Sequence, residues 1–248
     1  MNSEAMVVIF VALAVGAMVK GITGLGLPLV AIPVMAGFIG VERAVILMLV
    51  PGIVLNFGLL WIYRAHATAL AKLPVILVVA AIGTMLGAWG LSAVPERVIM
   101  MFMVAWIGLY LLKLLLVKSE IQLPQPLQRY FSTLVMFLAG MIQGATGTGG
   151  PVLAIYCHAL KLSQPAFVFV VTVLIQAMMF TQAGTYWRLG MFTMDRLYDG
   201  MLACVPVAIF LPVGVYISRF ISQRHFSAVI IVLLLVIEAR MIGALLET

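Results

Sequence analysis

The chain has 248 residues, 65% of them hydrophobic and 9% charged, with a formal net charge of +6. A soluble domain carries about 25% charged residues, so this composition excludes a water-facing fold and reads as an integral membrane protein without a separate soluble domain. The basic residues stand singly at the ends of apolar segments, the pattern of interfacial anchors and topology signals, so no nucleic-acid partner is expected.

Taken in order, the chain shows five apolar segments in each half. They fall at about 5–20, 25–39, 42–63, 70–92 and 97–117, then at about 130–143, 150–161, 165–187, 196–218 and 225–246. Met1-Asn2-Ser3-Glu4 lacks the basic region of a signal peptide, so the first run reads as a membrane segment. The third, fourth and fifth segments of each half are long enough to span, since a core of ~30 Å needs about 20 helical residues. The first two are shorter and meet at a glycine-rich break, as two tight spans or as a re-entrant hairpin. The fold expected is all-α and polytopic: residues 1–118, a linker at 119–129 carrying Pro124 and Pro126, and residues 130–248.

The break occurs twice. Lys20-Gly21-Ile22-Thr23-Gly24-Leu25-Gly26-Leu27-Pro28 returns as Gln143-Gly144-Ala145-Thr146-Gly147-Thr148-Gly149-Gly150-Pro151, and Gly16–Pro33 matches Ala139–Tyr156 at eight of eighteen positions. Beyond the motif, Gly58, Trp61, Gly87 and Arg97 align with Gly184, Trp187, Gly214 and Arg224. An odd number of crossings per half, by either reading of the short segments, makes the two repeats inverted. Inverted repeats are the plan of many secondary transporters, with the substrate near the midplane at matched, Gly/Pro-interrupted segments.

Backbone free of helical hydrogen bonds survives at membrane depth only where it lines a cavity or is buried in protein. Glycines at such a break permit φ > 0 and close ligand approach, and a helix opening there presents N–H groups and a positive dipole end to an anion. Pro28 and Pro151 suit the first turns of the two following helices. The candidate substrate-binding residues are therefore Thr23, Gly24, Gly26, Gln143, Thr146, Gly147, Thr148, Gly149 and Gly150. Close helix packing is the alternative use of such small residues; two copies with Thr and Pro in register favour a site.

Glycine motifs, length and two related halves together resemble the sulfite exporter TauE/SafE family of membrane anion permeases, over nearly the whole chain. The resemblance implies transport of sulfite, sulfoacetate or another small sulfur-containing or organic anion across the cytoplasmic membrane. The first copy, Gly24-Leu25-Gly26-Leu27, is less glycine-rich than the family pattern and than the second copy.

Further polar residues sit inside apolar segments. Asn56 aligns with Gln182, and Gln176 shares a helical face with Thr172. Asn56, Gln176 and Gln182 can donate to an oxyanion or join helices. Lys20, whose counterpart is the neutral Gln143, is an electrostatic attractor or an interfacial anchor; Arg188 at a segment end is a gate or a snorkelling residue. Cys157 and Cys204 show no metal or redox spacing, and His158 sits near a helix end. With Glu238 the one acid well inside a segment, cation-ligand clusters and a carboxylate relay are disfavoured; no catalytic motif is present, and neither an enzyme nor a cofactor is expected.

The sequence thus reads as a secondary transporter for a small anion working by alternating access, with a non-transporting accessory or structural subunit as the rival. Alternating the loops puts Arg64, Lys72, Lys113, Lys118, Arg129, Lys161, Arg219 and Arg224 on the linker side and Arg43, Arg97, Arg188, Arg196 and Arg240 opposite. The positive-inside rule then places the linker in the cytoplasm and the termini outside, and the resemblance implies the inner membrane. The lipid bilayer is a partner throughout; a coupling ion (proton or sodium) and a homodimer stay open.

Overall fold

A computed structural model describes residues 3–23, 26–70, 74–116, 125–159, 162–217, 220 and 223–246. Among them the chain is all-α, with ten helices: α1 Ser3–Thr23, α2 Leu27–Ile39, α3 Val41–Tyr63, α4 Pro74–Ala93, α5 Glu96–Leu116, α6 Gln125–Thr146, α7 Gly150–Ala159, α8 Gln164–Arg188, α9 Met194–Ile217 and α10 Gln223–Leu246. A 3-10 segment, Arg64–Leu70, follows α3. The elements match the expected segments one for one. Helices α1 and α6 run 21 and 22 residues, longer than the apolar segments 5–20 and 130–143 read from the sequence. The difference arises because helical hydrogen bonding continues through polar residues that hydropathy counts as boundary. Residues 125–129 of the expected linker already belong to α6, and 119–124 lie outside the described residues.

Four of the described helices are long and apolar enough to cross a membrane: α3 and its extension Val41–Ala67, then Val75–Ala93, Pro165–Arg188 and Met194–Ile217. The protein is a polytopic membrane protein. Helices α3 and α8 are central: Ala44 to Leu49 are buried without interruption, as are Val170, Val171, Leu174, Met178 and Tyr186. Helices α4 and α9 are peripheral, presenting Val78, Ile82, Met85, Met201, Val205 and Ile209 outward. Such residues suit lipid, which solvates apolar side chains as the core does.

Glycines set the closest helix contacts. Helices α4 and α6 pack through Gly83-Thr84-Met85-Leu86-Gly87 on one and Gly140-Met141-Ile142-Gln143-Gly144 on the other. A Cβ at Gly144 would strike the Thr84 carbonyl and Ala88 amide, and one at Gly87 the Met141 carbonyl. Helices α1 and α9 repeat this contact: a Cβ at Gly21 would lie 2.6 Å from the Leu211 carbonyl and 2.8 Å from the Val215 amide, and one at Gly214 would strike the Met18 carbonyl. Small residues on both sides let backbones approach where van der Waals packing drives association in lipid.

One end of the bundle gathers charge. Arg43 and Asp199 pair at 2.9 Å, and Arg196 and Glu42 at 2.6 Å, joining the starts of α3 and α9. Glu96 at the start of α5 accepts from the Val41 amide, Arg97 donates to the Leu245 carbonyl, and the Arg240 guanidinium lies 3.9 Å over the Phe38 ring. At the end of α8, Arg188 is exposed.

Candidate functional site

Two helices begin at the middle of the molecule. Gly26, with φ 114°, precedes α2, and Pro28 lies in the first turn. Gly147, with φ 70°, turns the chain between α6 and α7, and Pro151 follows the first residue of α7. A side chain at either glycine would strain the backbone in this left-handed region. At Gly147 it would also lie 2.5 Å from the Ile32 methyl.

Between the two breaks is a cavity of about 40 Å³, room for about three waters or one small oxyanion. Lys20, Gly26 and Pro28 border it from the first break, and Gln143, Gly147, Thr148, Gly150 and Pro151 from the second. Gly52 and Asn56 of α3 and Ile175 and Met179 of α8 close it. Asn56 stands 15 positions past Val41, about 22 Å along α3 at 1.5 Å per residue, so the cavity is deep in the apolar slab.

Lys20 is buried at 8% exposure, and its Nζ donates to Asn56 Oδ1 at 3.3 Å. Asn56 Nδ2 turns to Met179 Sδ at 3.5 Å. Among the described residues Lys20 is the one titratable group in the lining, and no carboxylate faces it there. An ammonium so placed has one neutral partner and no counter-ion, a costly arrangement that an anion would relieve. Gly150 opens α7 at the cavity, so its N–H is among those a helix start leaves without an intrahelical partner. Leu27 opens α2 in the same way on the opposite wall.

A second polar pair supports the wall. Gln143 Nε2 donates to Gln182 Oε1 at 3.2 Å, while Gln143 Oε1 accepts from the Gly149 amide at 3.1 Å. Gln182 Nε2 reaches the Gln143 and Gly144 carbonyls and the Tyr186 hydroxyl, and that hydroxyl donates to the Gly144 carbonyl at 2.7 Å. The Gly149 N–H is therefore spent inside the protein. Thr146 donates to the Ile142 carbonyl at 2.7 Å, which leaves its oxygen to accept from the Thr148 hydroxyl, also at 2.7 Å. Thr148 borders the cavity and can turn its hydroxyl to a ligand; Thr146 holds the turn.

The structure thus brings Lys20, Gly26, Asn56, Gln143, Gly147, Thr148 and Gly150 around one space. Gln182, Thr146 and Gly149 form the layer behind it. Gln176 is buried on α8 with neither amide atom partnered, and it is not in the lining. Arg188 sits apart at the exposed end of α8. Gly24 lies outside the described residues, and of Thr23 only the backbone is described. Sequence reasoning missed Gly52, Met179 and Tyr186. A Cβ at Gly52 would meet the Met179 methyl, so glycine there gives the methionine its place, and Pro51-Gly52 inside an apolar helix was the available signal. A larger recess of about 660 Å³ lies on the exposed surface between α4 and α6, lined by Val79, Tyr130, Thr133, Leu134 and Phe137. None of the candidate residues borders it.

Fold and site define an all-α polytopic membrane protein with a small cavity, bordered by Lys20, Asn56 and Thr148, where two broken helix pairs meet. The family model for Sulfite exporter TauE/SafE matches residues 8–241, and the chain belongs to that family. It is a family of membrane permeases, not of enzymes, so membership makes this chain a membrane transporter. No curated protein and no solved structure matches the chain.

Proposed function

We propose that the protein is a secondary transporter that carries a small oxyanion through the cavity between the two glycine breaks. The observation that carries the reading is convergence: the starts of α2 and α7 and the Lys20 ammonium border one space without a carboxylate among its described lining. Two positive dipole ends and one cation favour an anion, and Asn56 and Thr148 supply hydrogen bonds to its oxygens. The family favours a sulfur-containing anion. A space of about 40 Å³ suits sulfite better than sulfoacetate, which would require the walls to part.

Alternating access by two inverted repeats, residues 1–118 and 130–248, is the mechanism we assign. Matched contacts support it. Gly21 of α1 against α9 and Gly144 of α6 against α4 face equivalent backbone atoms, a carbonyl and the amide one turn on, and Gly214 and Gly87 face the carbonyls of Met18 and Met141. Lys20–Asn56 and Gln143–Gln182 are the same hydrogen bond in the two halves, at aligned positions. Each half lays its first helix on the fourth helix of the other, so a rocking of one half moves both walls of the cavity. The loop charges favour a cytoplasmic linker, and the family favours the inner membrane.

The test is counterflow of radiolabelled sulfite in liposomes containing the purified protein alone. Exchange that unlabelled sulfite supports and that empty liposomes lack is the expected result. Its absence, for sulfite and for the other small sulfur oxyanions, would leave an accessory subunit as the better reading.

A further inference from the structure

The one acid deep in an apolar segment has no place in the anion cavity. Glu238 lies on α10 at 8% exposure, within a core of Met103, Ile107, Leu111, Leu234, Ile237 and Met241. Its carboxyl faces α5, where a Cβ at Gly108 would stand 3.3 Å from Oε1. Glycine at 108 leaves the space that the carboxyl fills. Buried Oε2 has no hydrogen-bond partner. Leu245, seven residues on, accepts from Arg97 at the charged end of the bundle, so Glu238 is about 10 Å inside it along the helix.

The groups that could neutralise a carboxylate here are engaged or distant. Helices α5 and α2 are the elements packed most closely on α10. On α5, Glu96 serves the Val41 amide, Arg97 serves Leu245, Tyr110 stacks on Trp106, and Lys113 is exposed in the last turn. Helix α2 carries no titratable residue. On α10 itself, Arg240 covers the Phe38 ring. An ionised carboxyl without a partner in an apolar interface is costly, and intramembrane acids mark proton or ion pathways for that reason. A helix-joining role would give both oxygens partners, which Oε2 lacks.

We propose that Glu238 is a proton-binding site that couples anion movement to a proton. The neutral acid fits the closed α5–α10 interface; the carboxylate needs water and so requires that interface to part. In each cycle a carboxylate oxygen takes a proton from the aqueous phase on one side, forming an O–H bond. That bond breaks on the other side and the proton returns to water, with no other bond changed. The link to the anion is α2. It begins at the cavity with Gly26 and Leu27, packs on α10, and ends at Phe38 beneath Arg240. Parting α10 from α5 therefore moves the helix whose first turn borders the anion.

This inference rests on the transport reading, and its test separates the two. Wild-type protein in liposomes, with membrane potential clamped, is given radiolabelled sulfite with and without an imposed pH gradient, alongside counterflow without a gradient. Absent wild-type counterflow would overturn the transport reading and this inference with it. With counterflow present, one proton per anion predicts that the gradient raises accumulation toward about tenfold per pH unit. Glu238→Gln, which keeps shape but cannot cycle a proton, is expected to retain counterflow and lose the response to the gradient. A Glu238→Gln variant that accumulates like wild type, or a wild type indifferent to the gradient, overturns the proposal. If Glu238→Gln loses counterflow as well, Glu238→Asp decides: gradient-driven uptake restored by the shorter acid supports a proton site, and uptake in neither variant refutes it.

Discussion

Lys20 donates to Asn56 across α1 and α3 at 3.3 Å, and no carboxylate among the described residues shares that ammonium. The neutral counterpart of this bond, Gln143 to Gln182 at 3.2 Å, has a third partner in the Gly149 amide. One half thus holds an uncompensated charge and the other a satisfied network. Replacing Lys20 with Met removes a charged donor from the cavity. The expected result is a half-saturation concentration raised by roughly one to two orders of magnitude, since hydrogen bonds to charged groups contribute about 1.5–3 kcal/mol. Counterflow against sulfite concentration checks it; an unchanged half-saturation would remove Lys20 from the site.

The Gln143–Gln182 pair predicts coupling. Gln143→Leu strips both the Gly149 amide and Gln182 of a partner, and Gln182→Leu leaves the Gly144 carbonyl to Tyr186 alone. Each single variant should cost about 1–3 kcal/mol, the cost of orphaned buried groups. The double variant should cost less than the sum, because the groups act on each other. Thermal denaturation in detergent of the four proteins measures the cycle, and strict additivity would refute the network.

Helix contacts predict a contrast among glycines. Gly144→Ala and Gly87→Ala place a methyl against backbone that cannot turn aside, so each should lower the yield of folded protein. Gly58 in α3 has nothing within 4 Å of an added Cβ, and Gly58→Ala should raise stability by up to ~1 kcal/mol through helix propensity. Size-exclusion profiles and melting curves of the three variants decide.

Which of these relationships the sequence made legible follows from physics. Hydropathy located every helix, because a membrane segment is set by length and apolarity. The repeat offset paired Lys20 with Gln143 and Asn56 with Gln182 before any contact was known. The rotation of each helix was not legible, since a chain apolar toward both lipid and core lacks the single stripe that marks an inward face. Hence Asn56 and Gln176, both amides in central helices, look alike in sequence, yet Asn56 borders the cavity and Gln176 does not. The same blindness hid Met179, an ordinary core residue until Gly52 is seen to make room for it. That the Gly149 amide is spent on Gln143 depends on a side chain folding back six residues, which no local pattern announces.

The ion pairs at the charged end predict a latch. Arg43–Asp199 and Glu42–Arg196 join α3 of the first half to α9 of the second, and Arg196 also donates to the Met191 carbonyl. Each pair is part-exposed, with side-chain exposures of 41% for Arg43 and 28% for Asp199, and 43% for Glu42 and 31% for Arg196, so each is worth about 1 kcal/mol or less. That is too little to hold the fold but enough to bias two states separated by a few kcal/mol. If this end closes the path to the cavity, breaking both pairs should favour the state open there. A cysteine at Thr148, with Cys157 and Cys204 replaced by alanine, reports access. Adding Arg43→Asn and Arg196→Asn should speed its modification by a membrane-impermeant thiol reagent applied from the charged face, by roughly threefold to tenfold if the combined bias is about 1 kcal/mol. The reversed pair, Arg43→Asp with Asp199→Arg, should return the rate toward that of the parent. A labelling rate unchanged by Arg43→Asn with Arg196→Asn would mean that these pairs tie helices that never part.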